Sequence, residues 1–295
     1  MILAAVPGAA NDLGSAVVEG LPGAAVINNL LEKEMNVMAN QLKQRWASGK
    51  AALNGWINIP AGFSAEVMAK CGFHSVTVDL QHAPQDCVSM VQCFQAMQAH
   101  PITPLARVPW LEPGIVGKVL DNGAMGVICP MVNNRQSAEA LVQYAKYPLR
   151  GARSFGPIRA SIYGGGSSYH RTANEETLVL PMIETQEAVE NLDEILDVKG
   201  IAGIYVGPAD LAFSYGKEPE VDHEEEFFLD IYAKLIAACN KRGLCAGIHA
   251  GSGAYAARMV KMGFRLVTIA TDTSLLEMAA TTEIAAAKSG SGGIA

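Results

Sequence analysis

The chain has 295 residues, a formal net charge of −7, and a composition that is 50% hydrophobic and 17% charged; this suits one large domain with a sizeable core. Lys and Arg are scattered along the chain, and without a basic patch a nucleic-acid partner is not expected. A membrane span is not expected either, because no apolar stretch reaches the required length.

The two ends of the chain differ in composition from the part between them. Residues 1–37 are mildly apolar and lack the basic start of a secretory signal, so we interpret them as a flexible or helical extension. Residues 38–285 carry the pattern of one folded domain, and the Gly/Ser-rich residues 286–295 predict a disordered tail. The six cysteines form no CxxC pair, which favours reduced thiols in a cytoplasmic protein over disulfides or a zinc site.

Eight short β-rich runs follow one another along the domain. Most are continuously apolar, as expected for parallel strands that are buried on both faces. The predicted strands are Gly55–Ile59, Ser75–Asp79, Thr103–Val108, Gly126–Pro130, Leu178–Ile183, Gly203–Val206, Cys245–Ile248 and Leu266–Ile269.

Helix-like segments such as SAEVMAKCGF and AYAARMVKMGF separate these runs and end on glycine. Eight alternating β–α units over about 250 residues predict an α/β fold of the (β/α)8 TIM-barrel type. A doubly wound open sheet is the alternative, but its nucleotide-binding members carry a Gly-rich turn after the first strand, which this sequence lacks. The GGGSS segment at residues 164–168 is interpreted as a mobile loop.

Polar residues fall at the carboxyl ends of several predicted strands, where such barrels carry their catalytic groups. These residues are Asp79 and His82 after the second strand, Arg107 on the third, Glu184 after the fifth, Asp210 after the sixth and His249 after the seventh. Taken singly, each could be a helix cap, an ion-pair partner or a buried histidine. Their convergence on one rim favours an active site.

The residue types at this rim favour one kind of chemistry. Two carboxylates, Glu184 and Asp210, suit a hard divalent ion such as Mg²⁺ or Mn²⁺. Arg107 offers a two-point contact to a carboxylate or oxyanion, and His82 can transfer protons near neutral pH. No lysine lies on a predicted strand or at its carboxyl edge, which argues against Schiff-base catalysis and for a metal-stabilised enolate.

Six motifs in collinear order, between about residues 38 and 280, resemble those of the HpcH/HpaI aldolase family. They are GFHSVTVDLQHAPQD, ARVPW, VLDNGAMGVICPMV, YPLRGARSFG, PMIETQEAVENLDEIL and GIYVGPADL. The resemblance implies a barrel of the phosphoenolpyruvate/pyruvate superfamily, assembled as a homo-oligomer, either a trimer or a hexamer. It also implies a metal-dependent (class II) aldolase that cleaves a 4-hydroxy-2-oxo acid to pyruvate and an aldehyde and catalyses the reverse addition.

Carried over motif by motif, the resemblance gives individual residues a role. Glu184 and Asp210 would bind the divalent ion, which would be Mg²⁺, Mn²⁺ or Co²⁺, and Arg107 would stabilise the pyruvate enolate. His82 would be the catalytic histidine, with Asp121 of VLDNG as its carboxylate partner. The candidates for contact with the 2-oxo acid or the aldehyde are Trp56, Asp79, Gln81, Pro208, Ala209, Asp210 and His249.

Three positions depart from the family pattern. Gln81 stands where a glutamate is usual, Met182 where a glutamine is usual, and His249 at a commonly apolar position. The metal and arginine positions are unchanged, so the departures affect the aldehyde side and the proton relay. An oxaloacetate decarboxylase or a CoA-ester lyase of the same superfamily is the alternative function, and a non-catalytic barrel that binds a 2-oxo acid is a third.

Overall fold

Eight parallel strands, β1 to β8 in chain order, form a closed barrel in the computed structural model, which describes residues 39–291. Each strand pairs with its sequence neighbours, and β8 pairs with β1 to close the barrel. The strands are β1 Ala52–Ile57, β2 Ser75–Asp79, β3 Thr103–Arg107, β4 Gly126–Cys129, β5 Leu178–Ile183, β6 Gly203–Val206, β7 Cys245–Ala250 and β8 Leu266–Ile269. The predicted (β/α)8 barrel is confirmed, and the strand bounds differ from the predicted ones by a few residues at most.

Helices connect successive strands, a first helix precedes β1 and a last helix follows β8. They are α1 Gln41–Ala47, α2 Gly62–Lys70, α3 Cys87–Met97, α4 Pro113–Asp121, α5 Arg135–Ala145, α6 Ile158–Tyr163, α7 Tyr169–Glu176, α8 Gln186–Glu190, α9 Leu192–Leu196, α10 Pro208–Ser214, α11 Glu226–Lys241, α12 Gly253–Met262 and α13 Asp272–Ser291. No helix in this part of the chain has the length and apolar character needed to cross a bilayer.

Side-chain caps fix where several helices begin after the barrel strands. Asp86 and Asn134 each form a capping box at the starts of α3 and α5, and Glu112 accepts from two backbone N–H groups at the start of α4. Such caps satisfy N–H groups that have no partner within the helix. The loops at the carboxyl end of the barrel are thereby held between a strand end and a capped helix.

Two apolar cores flank the barrel wall. The larger one lies between strands and helices and includes Phe94, Phe228 and Phe264. The smaller one fills the barrel interior and includes Trp56, Leu105, Ile128, Leu180 and Tyr205. Since alternate side chains of a strand point to opposite faces, every strand except β2 contributes apolar side chains to both cores, and β2 contributes Val76 and Val78 to the larger one only.

Two segments predicted as loop or tail contain helical turns. The segment GGGSS, interpreted as a mobile loop, includes a 3-10 turn at Gly166–Ser168 that joins α6 to α7. Helix α13 continues to Ser291, so it includes residues 286–291 of the predicted tail. The predicted extension at residues 1–37 and the last residues, 292–295, lie outside the described part of the chain.

Candidate functional site

An arginine–aspartate pair lies at the carboxyl-end mouth of the barrel. Asp79 and Arg107 are the last residues of β2 and β3 and are register partners. Arg107 donates from Nε to Oδ1 of Asp79 at 2.8 Å and from Nη2 to Oδ2 at 2.5 Å. This two-point contact fixes the guanidinium plane and leaves the Nη1 protons of Arg107 for another acceptor.

Trp56, inside the barrel, contacts both members of this pair. Trp56 of β1 donates from Nε1 to Oδ2 of Asp79 at 3.3 Å, and its ring lies 4.8 Å from the Arg107 guanidinium carbon. Burial alone would raise the pKa of Asp79, but the hydrogen bonds and charge of Arg107 hold it below its ordinary value. With 2% of its surface exposed, Asp79 lies behind Arg107 and positions it.

The two carboxylates predicted as metal ligands lie close to each other. Glu184 follows β5 and is buried, and Asp210 lies in the first turn of α10 and is exposed. Burial raises the pKa of Glu184 to about 7, and the negative charge of Asp210 adds to the rise, although a backbone hydrogen bond from Met131 and the charge of Arg107 oppose it. Since β5 and β6 are neighbouring strands and Gly207, just before α10, lies against Glu184, the two carboxylates share one region of the mouth.

Local backbone geometry keeps Glu184 in place. Met131 follows β4 with a φ of 55° and donates its backbone N–H to Oε1 of Glu184 at 2.8 Å. A residue other than glycine at positive φ costs on the order of 1–3 kcal/mol. On the other side, a Cβ atom at Gly207 would lie 2.5 Å from Oε2 of Glu184, so the glycine leaves this oxygen room.

The donor set at Glu184 and Asp210 fits a hard divalent ion. Both residues offer carboxylate oxygens, and Glu184 is buried, so a nearby positive charge would offset the cost of burying its negative charge. Within residues 39–291, no group of three or more His, Cys, Asp or Glu side chains could hold a metal ion. An ion at this pair would therefore complete its coordination with water and with oxygens of a bound substrate.

His82 and Gln81 lie on the loop that follows β2. The His82 side chain is exposed, while its backbone N–H lies 3.4 Å from Oδ1 of Asp79. Gln81 donates its backbone N–H to the same oxygen at 3.0 Å, and its side-chain Oε1 is buried without a partner among the described residues. Asp79 thus anchors both Arg107 and the start of the loop that carries His82.

The predicted partner of His82, Asp121, does not contact it within one chain. Asp121 ends α4, which leads into the amino end of β4, whereas His82 follows the carboxyl end of β2. The two residues therefore lie at opposite ends of the barrel. The Asp121 carboxylate accepts instead from Nη2 of Arg153 at 2.6 Å, and Arg153 stacks over the Tyr147 ring.

The remaining predicted residues lie at or near the mouth. Pro208 and Ala209 open α10 beside Asp210. His249 lies within β7, not after it as predicted, and its ring packs edge-on against Trp56 at a centroid distance of 5.0 Å. The mouth thus brings together Trp56, Asp79, Gln81, His82, Arg107, Glu184, Pro208, Ala209, Asp210 and His249, and leaves out Asp121.

Sequence reasoning missed a polar network beneath the mouth. Asn54, Thr268 and Tyr205 are fully buried and joined by hydrogen bonds that reach His249. The available signal was the presence of polar residues inside otherwise apolar strands, since buried polar groups require partners.

A cavity of about 390 Å³ lies at the other end of the barrel. Its lining includes Thr103, Met125 and Thr177, which lie at or just before the amino ends of β3, β4 and β5. It includes none of the polar residues of the mouth, so it belongs to a different surface of the molecule.

Comparison with known proteins links this mouth to an enzyme family. Residues 56–279 match the family model described as HpcH/HpaI aldolase/citrate lyase. The chain is 39% identical over 250 residues to a hydroxypyruvate/pyruvate aldolase of Rhizorhabdus wittichii, covering 84% of this chain and 99% of the relative. It is 32% identical over 245 residues to a 4-hydroxy-2-oxo-heptane-1,7-dioate aldolase of Escherichia coli, covering 82% and 93% respectively.

A solved structure gives the same result. The crystal structure of an HpcH/HpaI aldolase/citrate lyase family protein from Burkholderia cenocepacia superposes with a TM-score of 0.79 at 29% identity, covering 85% of this chain and all of that chain.

Proposed function

Because the chain belongs to the HpcH/HpaI aldolase/citrate lyase family, we propose that it is a pyruvate aldolase that cleaves a 4-hydroxy-2-oxo acid. The products are pyruvate and an aldehyde, and the reverse reaction adds pyruvate to the aldehyde. The observation that carries this proposal is the meeting of Arg107, Glu184 and Asp210 at one mouth of the barrel.

A 2-oxo acid at the mouth would meet groups suited to each of its oxygens. Arg107 is fixed by Asp79 and has free N–H groups that would donate to the oxyanion formed when the C3–C4 bond breaks. The first-turn N–H groups of Ala209 and Asp210 would donate to the substrate carboxylate.

His82 is the proposed base of the cleavage reaction. Its exposed side chain stands at the mouth, where it would take the proton from the 4-hydroxyl group of the substrate. The electrons of that O–H bond form the aldehyde carbonyl, those of the C3–C4 bond form the pyruvate enolate, and a proton then adds to C3.

We propose that Glu184 and Asp210 hold a divalent cation, Mg²⁺, Mn²⁺ or Co²⁺, next to the substrate oxygens. When bound, such an ion supplies Lewis-acid stabilisation of negative charge on the keto oxygen. The two carboxylates would orient the substrate relative to Arg107, and their mutual repulsion would be relieved by the positive charge.

We propose in addition that the chain works as a cytoplasmic homo-oligomer. Several apolar side chains on and just before α6 are exposed in one chain, with Phe155 at 63%, Ile158 at 84% and Ile162 at 68%, and large exposed apolar surfaces mark interaction sites. A catalytic contribution of Asp121 would require a second copy, since this residue cannot reach His82 of its own chain.

The test measures two reactions with Glu184→Gln and Asp210→Asn variants. One is pyruvate release from 4-hydroxy-2-oxo acids, with oxaloacetate as the alternative substrate; the other is deuterium exchange of the pyruvate methyl group, followed by NMR. Each variant, and chelation of the native enzyme, should lower both rates by about 10²-fold or more. The exposed Glu66→Gln variant on α2 serves as control, and full activity in the presence of chelator would refute the metal proposal.

A further inference from the structure

A chain of hydrogen bonds runs through the barrel interior and ends at His249. Nδ2 of Asn54 donates to Oγ1 of Thr268 at 2.9 Å, and Thr268 Oγ1 lies 2.5 Å from the Tyr205 hydroxyl. The same hydroxyl lies 3.3 Å from Nδ1 of His249. Asn54, Thr268 and Tyr205 are fully buried, so water cannot satisfy them.

Which group donates in each of these hydrogen bonds follows from the donors available. Ser75 donates to Oδ1 of Asn54 at 2.7 Å, and Nδ2 of the same amide donates to Thr77 and Thr268. Thr268 Oγ1 accepts from that amide, and among the described residues its other partner is Tyr205. The Thr268 hydroxyl proton therefore goes to the Tyr205 oxygen, because the reverse arrangement leaves it unpaired at a cost of roughly 1–3 kcal/mol.

The same argument assigns the ring nitrogen of His249 that carries the proton. Tyr205, having accepted from Thr268, donates its own proton to Nδ1 of His249. In a neutral imidazole with an accepting Nδ1, the proton lies on Nε2. The two ring nitrogens point in widely different directions, so with Nδ1 on the Tyr205 hydroxyl, Nε2 points away from that hydroxyl.

The surroundings of His249 keep the ring neutral and in place. The ring is half-buried and packs edge-on against Trp56, which also contacts Asp79 and Arg107. Burial, together with the positive charge of Arg107, lowers the pKa of His249 to about 4. The ring therefore offers an uncharged N–H donor beside the arginine.

We propose that His249 is a specificity-determining residue, which donates from Nε2 to a hydroxyl oxygen on the aldehyde part of the substrate, and that Tyr205 and Thr268 are positioning residues that fix its tautomer. The aldehydes favoured by this contact carry a hydroxyl group next to the carbonyl carbon. This inference rests on the proposed aldolase function and goes beyond it by naming the class of aldehyde.

The test compares glycolaldehyde with propanal as acceptors for pyruvate, since the two differ by a hydroxyl in place of a methyl group. In the His249→Leu variant the ratio of kcat/KM for glycolaldehyde over propanal should fall by about tenfold, the usual effect of one lost hydrogen bond. Tyr205→Phe should lower the same ratio by a smaller factor. Tyr232→Phe is the matched control, because this buried hydroxyl on α11 has no partner in the described residues. An unchanged ratio in His249→Leu overturns the proposal.

Nitrogen NMR of ¹⁵N-histidine-labelled enzyme tests the positioning role independently of turnover. His249, assigned by its loss in His249→Leu, should show a proton on Nε2 and none on Nδ1, and Tyr205→Phe should change that pattern while Tyr232→Phe leaves it intact. A proton on Nδ1 in the native enzyme would contradict the proposed chain. Absence of pyruvate methyl exchange in the native enzyme would instead refute the proposed function, while the tautomer could still be read.

Discussion

The pair formed by Asp79 and Arg107 shows how single residues acquire a role through strand register. Both residues end neighbouring parallel strands and face each other directly, so the aspartate saturates one edge of the guanidinium and directs the remaining N–H groups elsewhere. Breaking a buried pair leaves an uncompensated charge, which typically costs about 3–5 kcal/mol. The aspartate therefore contributes both to stability and to the placement of the arginine.

We expect Arg107→Ala to lower kcat of aldol cleavage by about 10²–10³-fold, the usual loss for one contact to a developing oxyanion. Asp79→Asn should lower kcat less, because the arginine keeps its charge but loses its anchor. In the double variant the fold-changes should not multiply, because the two residues act as a unit.

The measurement is steady-state kinetics by pyruvate release, with folding checked by circular dichroism at the assay temperature. Arg135→Ala removes an exposed arginine that pairs with Glu139 on the surface and serves as the control. Multiplicative effects of the two single variants would show that the aspartate does not act through the arginine.

Sequence reasoning located most of the mouth because the carboxyl ends of parallel strands meet on one rim. It could not predict the contact between Asp79 and Arg107, since that depends on the register that packing imposes around the closed barrel. It also could not find the hydrogen bonds of Tyr205, a residue that an apolar strand pattern counts as core.

At the scale of elements, the connection from β6 into α10 sets the space around Glu184. Gly207 precedes Pro208, which opens the helix, and its φ of −100° and ψ of 94° are open to any residue. Glycine is required here by the lack of space for a side chain and not by the backbone conformation. A Cβ atom would lie 2.5 Å from Oε2 of Glu184 and 2.9 Å from Cε of Met182.

We expect Gly207→Ala to displace the Glu184 carboxylate and to lower metal-dependent activity by about tenfold or more, while the barrel stays folded. The added methyl group meets a buried carboxylate that must hold its position to within a fraction of an ångström. Calorimetry of Mn²⁺ binding measures the effect on the Glu184 site, and the unfolding temperature shows whether the barrel stays folded.

Gly253→Ala is the matched control for this variant, because a Cβ atom at that helix start meets nothing within 4 Å. Equal Mn²⁺ affinity in Gly207→Ala and the native enzyme would mean that Glu184 does not depend on this space.

For the whole molecule, the sequence predicts the barrel fold more completely than it predicts which residues lie at each end of the barrel. Continuous apolar runs separated by helical segments suffice for the barrel, because burial on both faces is a local property of each strand. Within one chain the expected pairing of Asp121 with His82 does not form, since α4 ends on the opposite side of the barrel from His82. A motif carries residue types but not the side of the barrel on which they lie.

A buried lysine ties the outer helices to the barrel and makes overall stability depend on pH. Lys146, at the end of α5, is 4% exposed and donates from Nζ to the carbonyl oxygens of Asn174 and Thr177, at 2.6 Å each. Burial, with the nearby charge of Lys43 next in importance, lowers the pKa of Lys146 from 10.5 to about 8. Below pH 8 the lysine is charged in both states, and above it the unfolded chain binds more protons than the folded one.

The free energy of unfolding should therefore gain a contribution from Lys146 as pH rises from about 8 toward 10, on the order of 1–2 kcal/mol. We expect the stability difference between the native protein and Lys146→Met to shift by this amount in favour of the native protein between pH 7 and pH 10, measured by urea unfolding. Lys70→Met, at an exposed lysine ending α2, should show no such shift. A difference that stays constant across this range would mean that the lysine has the same proton affinity in the folded and unfolded chains.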